Sequence, residues 1–174
     1  MVALEKRALA TEVAVKDRRL EGYAAVFGVE TRVGSFLETI RPGAFKTALG
    51  GDILALADHD PTRLLARTKS GTLRLSEDSK GLAFDLDVPD TQIGRDLLAL
   101  AERGDLGGMS FGFTIPKNGD AWQGNKRELR TVDLREISIV QSWPAYPQTS
   151  VAARSSGVGT YAERYLALLM GNHP

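Results

Sequence analysis

Residues 64–88 read LLARTKSGTLRLSEDSKGLAFDLDV. Three alternating apolar runs lie within this stretch, Leu64 to Thr68, Thr72 to Ser76 and Leu82 to Val88, separated by Ser70-Gly71 and by Asp78-Ser79-Lys80-Gly81. Alternation places successive side chains on opposite faces of a strand, and turn residues at such short intervals predict antiparallel strands joined by hairpins.

The same pattern extends outward in both directions. Thr11 to Lys16 alternates, Asp17-Arg18-Arg19 makes a polar turn, and Leu20 to Phe27 is a second run ending at Gly28. Phe36 to Ile40 predicts a short strand, and Pro42 suits the first turn of a short helix reaching about Leu49. Asp52 to Ala57 is a short apolar run, read as a buried strand that delivers His59 at its C-terminal end.

Beyond residue 88, Ile93, Leu97, Leu98, Leu100 and Ala101 recur at helical spacing. Asp90 or Thr91 would cap this helix and Gly104 would end it. Met109 to Ile115 reads as a strand carrying Ser110, Pro116 to Asn125 as a polar loop, and Glu128 to Gln141 as a longer alternating strand. In that strand the apolar parity shifts between Leu134 and Ile137, which predicts a bulge. Trp143 to Pro147 contains two prolines that stop the ladder, and Tyr161 to Met170 predicts a terminal amphipathic helix. The expected fold is mainly β with helices (α+β): a closed or nearly closed antiparallel β-barrel of about seven strands with packed helices.

Composition narrows the function classes. With 174 residues, 43% hydrophobic and 25% charged, the chain predicts one compact domain. Residues 1–155 form the expected barrel, with 156–174 as a C-terminal helix and tail belonging to it or to an oligomer contact. Lys plus Arg and Asp plus Glu number 22 each, so no net field attracts nucleic acid or an anionic membrane, and neither is expected as a partner. Thiolate nucleophiles, disulfides and sulfur-ligated metals are excluded by the absence of cysteine. No run approaches the roughly 20 apolar residues of a membrane span, and the N-terminus lacks a signal-peptide core, so a soluble, unsecreted protein is expected.

Histidine is the most informative residue. The only two are His59 and His173, and His173 stands next to last in the chain, so imidazole chemistry falls on His59. A metal site is not expected, because no second usable histidine exists to join it, and no cofactor is expected either. His59 lies between Asp58 and Asp60, Ser110 within Gly107-Gly108-Met109-Ser110-Phe111-Gly112-Phe113, and Glu136 within Leu134-Arg135-Glu136-Ile137-Ser138-Ile139-Val140. Taken singly, each fits a bland reading as well: an ordinary polar turn, a strand serine between core phenylalanines, and an outward-facing strand carboxylate. The pattern Gly-x-Ser-x-Gly at 108–112 is a formal match to a nucleophile elbow, but a predicted strand is the wrong context for one. Together the three residues supply a nucleophile, a base and a group to orient the base.

The ordered set of segments Gly22-Tyr23-Ala24-Ala25-Val26-Phe27, Ile40-Arg41-Pro42-Gly43-Ala44-Phe45, Leu56-Ala57-Asp58-His59-Asp60, Met109-Ser110-Phe111-Gly112-Phe113 and Leu134 to Val140, followed by Pro144-Ala145-Tyr146-Pro147, resembles the prohead, or capsid-maturation, serine proteases of tailed phages. That family is related in fold to herpesvirus assemblin, and the resemblance spans residues 20 to 151. It implies an assemblin-like serine endopeptidase with Ser110 as nucleophile and His59 as general base. Its protein substrate would be scaffold or the scaffolding extension of the major capsid protein, and also itself. The implied place of action is the assembling prohead in the bacterial host cytoplasm, and assemblin suggests a homodimer. Assemblin's second histidine has no counterpart in this region, so Glu136 takes the third role by its late-strand position, with Asp60 left open. A catalytically silent assembly module for scaffold or capsid is the alternative, and a small-ester hydrolase would need a preformed apolar pocket.

Overall fold

The computed structural model describes residues 3–10 and 13–141. In chain order the strands are β1 (Glu5–Leu9), β2 (Ala14–Lys16), β3 (Arg19–Val26), β4 (Thr31–Val33), β5 (Phe36–Ile40), β6 (Leu54–Ala57), β7 (Asp60–Arg67), β8 (Leu73–Glu77) and β9 (Gly81–Asp87). Helix α1 (Gln92–Arg103) then precedes β10 (Gly108–Thr114), β11 (Asp120–Gln123), β12 (Lys126–Leu129) and β13 (Asp133–Val140).

These strands form three sheets, ordered β1-β10-β13-β6-β7, β11-β12-β5-β4 and β2-β3-β9-β8. This corrects the expected barrel: among the described residues no sheet closes on itself. Closure requires the two end strands of a sheet to pair. The edge strand β1 instead turns toward the second sheet through side chains, where Arg7 and Glu38 form an ion pair. Nor is the pairing purely antiparallel, because β12 runs parallel to β5 and β13 parallel to β6.

Residues 73–87 behave as their alternation predicts, with β8 and β9 paired antiparallel, whereas β7 belongs to another sheet and forms no hairpin with β8. Leu73 meets Leu86, and Leu75 meets Phe84, across the ladder. Helix α1 also follows its signals. Thr91 accepts a hydrogen bond from the Gly94 amide at 3.3 Å, and Gly104 closes the helix in the left-handed conformation at φ 74°.

The expected helix from Pro42 to Leu49 is instead a series of turns. Gly43 adopts φ 92°, which no α-helical residue can share, and three-residue closures such as Ala48 N–H to the Phe45 carbonyl (2.9 Å) replace the helical ladder. The predicted loop at 116–125 contains β11, and the predicted long strand from Glu128 begins as β12 and resumes as β13 after a break at residues 130–132. The expected strand stop at Trp143 to Pro147 and the terminal helix Tyr161 to Met170 lie outside the described residues.

The core sets the orientation of the site. Along β10, Met109, Phe111 and Phe113 belong to the core cluster, together with Leu134, Ile137 and Ile139 of β13 and Ala55 and Ala57 of β6. Phe111 stacks on Phe113 at 5.2 Å and meets Phe45 edge-on at 5.5 Å. With a period of two, fixing these aromatics inward sends Gly108, Ser110 and Gly112 to the opposite face.

Candidate active site

Ser110 lies in the middle of β10, paired with Ala8 on one side and Ser138 on the other. Glu136 pairs with Gly112, two positions along the same face. The predicted bulge is present: the register slips between Gly112 and Phe113, so that Phe113 faces Leu134 and Arg135 is the extra residue. This slip allows Leu134 to join Ile137 and Ile139 in the core while Glu136 points to the Ser110 face.

His59 arrives from the two-residue connection between β6 and β7, where Ala57 pairs with Asp60. Asp58 and His59 both have positive φ, 52° and 61°, as a tight hairpin between twisted strands requires. Asp and His are among the few non-glycine residues that enter this region readily. Other bonds hold the turn in place. The Asp58 amide donates to the Ile139 carbonyl at 3.0 Å, and the Asp58 carboxylate accepts from the Gln141 amide, the Gln141 side chain and Arg63. Because β13 also runs parallel beside β6, the turn carrying the histidine is fastened to the strand carrying the carboxylate.

The result is a continuous line of hydrogen bonds. Glu136 Oε1 lies 2.6 Å from His59 Nδ1, and His59 Nε2 lies 2.7 Å from Ser110 Oγ. With Glu136 ionised, Nδ1–H donates to it, which leaves Nε2 bare and able to accept the serine proton. The Ser110 hydroxyl has a second acceptor in the Arg7 carbonyl of β1, also at 2.7 Å. Its single hydrogen serves one of the two at a time. Ser110 is only 1% exposed and Glu136 6%, so this line runs beneath the surface, where its electrostatic interactions are weakly screened.

All three residues singled out in the sequence meet at one point. Asp60, the other acid left open there, is engaged elsewhere, accepting from the Thr62 amide and hydroxyl. The glycines have a role that composition does not reveal. A Cβ at Gly112 would overlap the Glu136 carboxylate, and one at Gly108, where φ is 131°, would overlap the Leu9 carbonyl. Gly112 therefore makes room for the acid. Sequence reading passed over Ser138, whose hydroxyl donates to Glu136 Oε2 at 2.6 Å and accepts from the His59 amide at 3.2 Å. The available signal was its parity, since Glu136 and Ser138 are the polar members of an i, i+2 pair in an apolar strand.

Beside β1 lies a second polar cluster. Glu38 accepts from Arg7 Nε at 2.6 Å and from Arg127 Nη1 at 3.2 Å, and Arg127 also binds Glu5 and Asp120. The hydrogen bond from Arg127 holds the Glu5 carboxyl below its ordinary value. Burial works against the Arg7 guanidinium, yet its bonds to Glu38 and Glu5 leave it above its ordinary value. A hollow of about 280 Å³ lies on the β11-β12-β5-β4 sheet, lined by Trp122, Lys126 and Arg130 among others, and includes none of the three site residues. It lends no support to the small-ester reading.

Known proteins resemble this chain over most of its length. The family described as caudovirus prohead serine protease matches residues 5–164. The prohead protease of Enterobacteria phage HK97 is 33% identical over 143 residues, which cover 81% of this chain and 62% of that protein. The chain thus spans less than two thirds of the length of this relative. No solved structure matches it.

Proposed function

The chain belongs to the caudovirus prohead serine protease family, and on that premise we propose that it is a serine endopeptidase of capsid maturation in which Ser110 is the nucleophile, His59 the general base and Glu136 the residue that orients the base. The observation that carries this reading is the line from Glu136 through His59 to Ser110, with contacts of 2.6 and 2.7 Å.

The chemistry is acyl transfer. His59 Nε2 removes the Ser110 proton as Oγ attacks the carbonyl carbon of the scissile peptide bond. The imidazolium, stabilised by Glu136 at Nδ1, then gives that proton to the departing amine. Water, deprotonated in turn by His59, attacks the acyl-enzyme and releases the new carboxyl end, and the proton returns to Ser110. The Arg7 carbonyl offers the hydroxyl a resting acceptor when His59 is protonated and its Nε2 can no longer accept.

The substrate is the scaffold or the scaffolding extension of the major capsid protein, and the protease cleaves itself as well, inside the assembling shell in the host cytoplasm. Cleavage of its cognate capsid or scaffold precursor tests the reading. The wild type should process it, and Ser110→Ala and His59→Ala should not. Processing at the wild-type rate by either variant would refute the assignment.

A further inference from the structure

Ser138 is a fully buried hydroxyl, 0% exposed, for which the acyl-transfer steps have no direct use. It sits directly across from Ser110 in the β10–β13 ladder. Its bonds have a definite direction. The hydroxyl hydrogen goes to Glu136 Oε2 at 2.6 Å, and a lone pair accepts from the backbone amide of His59 at 3.2 Å.

We infer that Ser138 is a positioning residue that fixes the His59–Glu136 pair from both ends, holding the acid by its side chain and the base by its main chain. This rests on the proposed protease chemistry and specifies which further group that chemistry depends on.

A glutamate on a strand keeps rotational freedom about its side-chain torsions, and one hydrogen bond to an imidazole does not remove it. A second bond to the other carboxylate oxygen does. That oxygen would otherwise be a buried acceptor on an ionised group, which is costly to leave unsatisfied. The bond to the His59 amide acts on a residue at φ 61°, so it also secures the turn whose left-handed backbone aims the ring. Since β13 supplies both Glu136 and Ser138, the acid and its holder move as one unit.

The test is a double-mutant cycle on the full chain with the capsid or scaffold precursor as substrate. Ser138→Ala should lower kcat roughly ten- to a hundredfold, the size of a hydrogen bond to a charged group, with KM unchanged. In a Glu136→Ala background the same substitution should cost clearly less, because only the bond to the His59 amide is then left to lose. A role in packing alone would give equal losses in both backgrounds, and that result would overturn the inference, as would wild-type kcat in a folded Ser138→Ala. Should the alanine variant not fold, Ser138→Cys keeps the volume and supplies only a weak donor. A lowered kcat in that variant supports the inference and an unchanged one overturns it. Failure of the underlying protease reading looks different: Ser110→Ala would then cleave as well as the wild type.

Discussion

Two buried polar clusters flank β1, and they are built on opposite plans. The Glu136–His59–Ser110 line is serial: a single contact joins each group to the next along the path, and every contact is needed for the next to have meaning. The Arg7–Glu38–Arg127 cluster is a mesh in which Glu38 has two cationic partners and Arg127 has three acidic ones. A serial line orients a proton path and fails when any link is cut. A mesh holds two sheets together and loses strength by degrees. Burial of charge alone therefore does not mark a site of chemistry; in this protein the distinction is whether partners are redundant.

The largest expected effects lie in the serial line. Ser110→Ala and His59→Ala should each reduce kcat/KM by roughly 10⁴-fold or more without lowering the melting temperature appreciably. Glu136→Gln should cost on the order of 10²- to 10⁴-fold, since the amide no longer stabilises the imidazolium. No loss in that variant would move the orienting role to another residue.

Next comes Gly112→Ala, a change that touches no proton. The added methyl displaces the Glu136 carboxylate, so precursor cleavage should fall by about a hundredfold, the low end of what loss of the acid itself would cost. Full activity in Gly112→Ala would show that the carboxylate's position is not critical.

In the mesh, Arg127→Leu should cost stability instead, about 1–3 kcal/mol by denaturant unfolding. Glu38 keeps both of its bonds to Arg7, so the loss is partial. Turnover per folded molecule should be unchanged.

The smallest effect is on pH. A carboxyl held below its ordinary value stabilises the fold at and above that ordinary value, and the contribution disappears as pH falls through the lowered one. The Glu5 contribution is therefore complete above its ordinary 4.5 and lost at more acidic pH. Protection of the β1 amides against exchange, taken relative to their intrinsic rates, should fall in that acid window, and Glu5→Gln should remove the part of the pH dependence due to Glu5. An identical acid profile in the variant would exclude Glu5 as its source.

The same contrast explains what the sequence could reveal. The serial line was legible because its parts are locally unusual: a single internal histidine, a serine among core aromatics, and an acid in an apolar strand whose parity shift at Leu134 to Ile137 marks the bulge at Arg135. The hairpin and helix signals at residues 73–104 worked for the same reason, being local. The mesh was not legible, because Glu5, Arg7, Glu38 and Arg127 come from β1, β5 and β12 and read singly as ordinary surface charges. Closure of the sheet was misjudged because strand count and turn spacing report hairpins, whereas the parallel partners of β6 and β5 lie far along the chain and leave no local periodicity. Gly43 shows the limit within a short segment: Pro42 fits a helix start, but the next residue departs from helical φ.

The central claim, that Ser110 is activated by His59, is tested most directly by a fluorophosphonate probe followed by peptide mapping in the mass spectrometer. The account predicts the covalent adduct on the peptide containing Ser110 in the wild type and no adduct there in His59→Ala. An adduct on another serine, or equal labelling of Ser110 with and without His59, would contradict it.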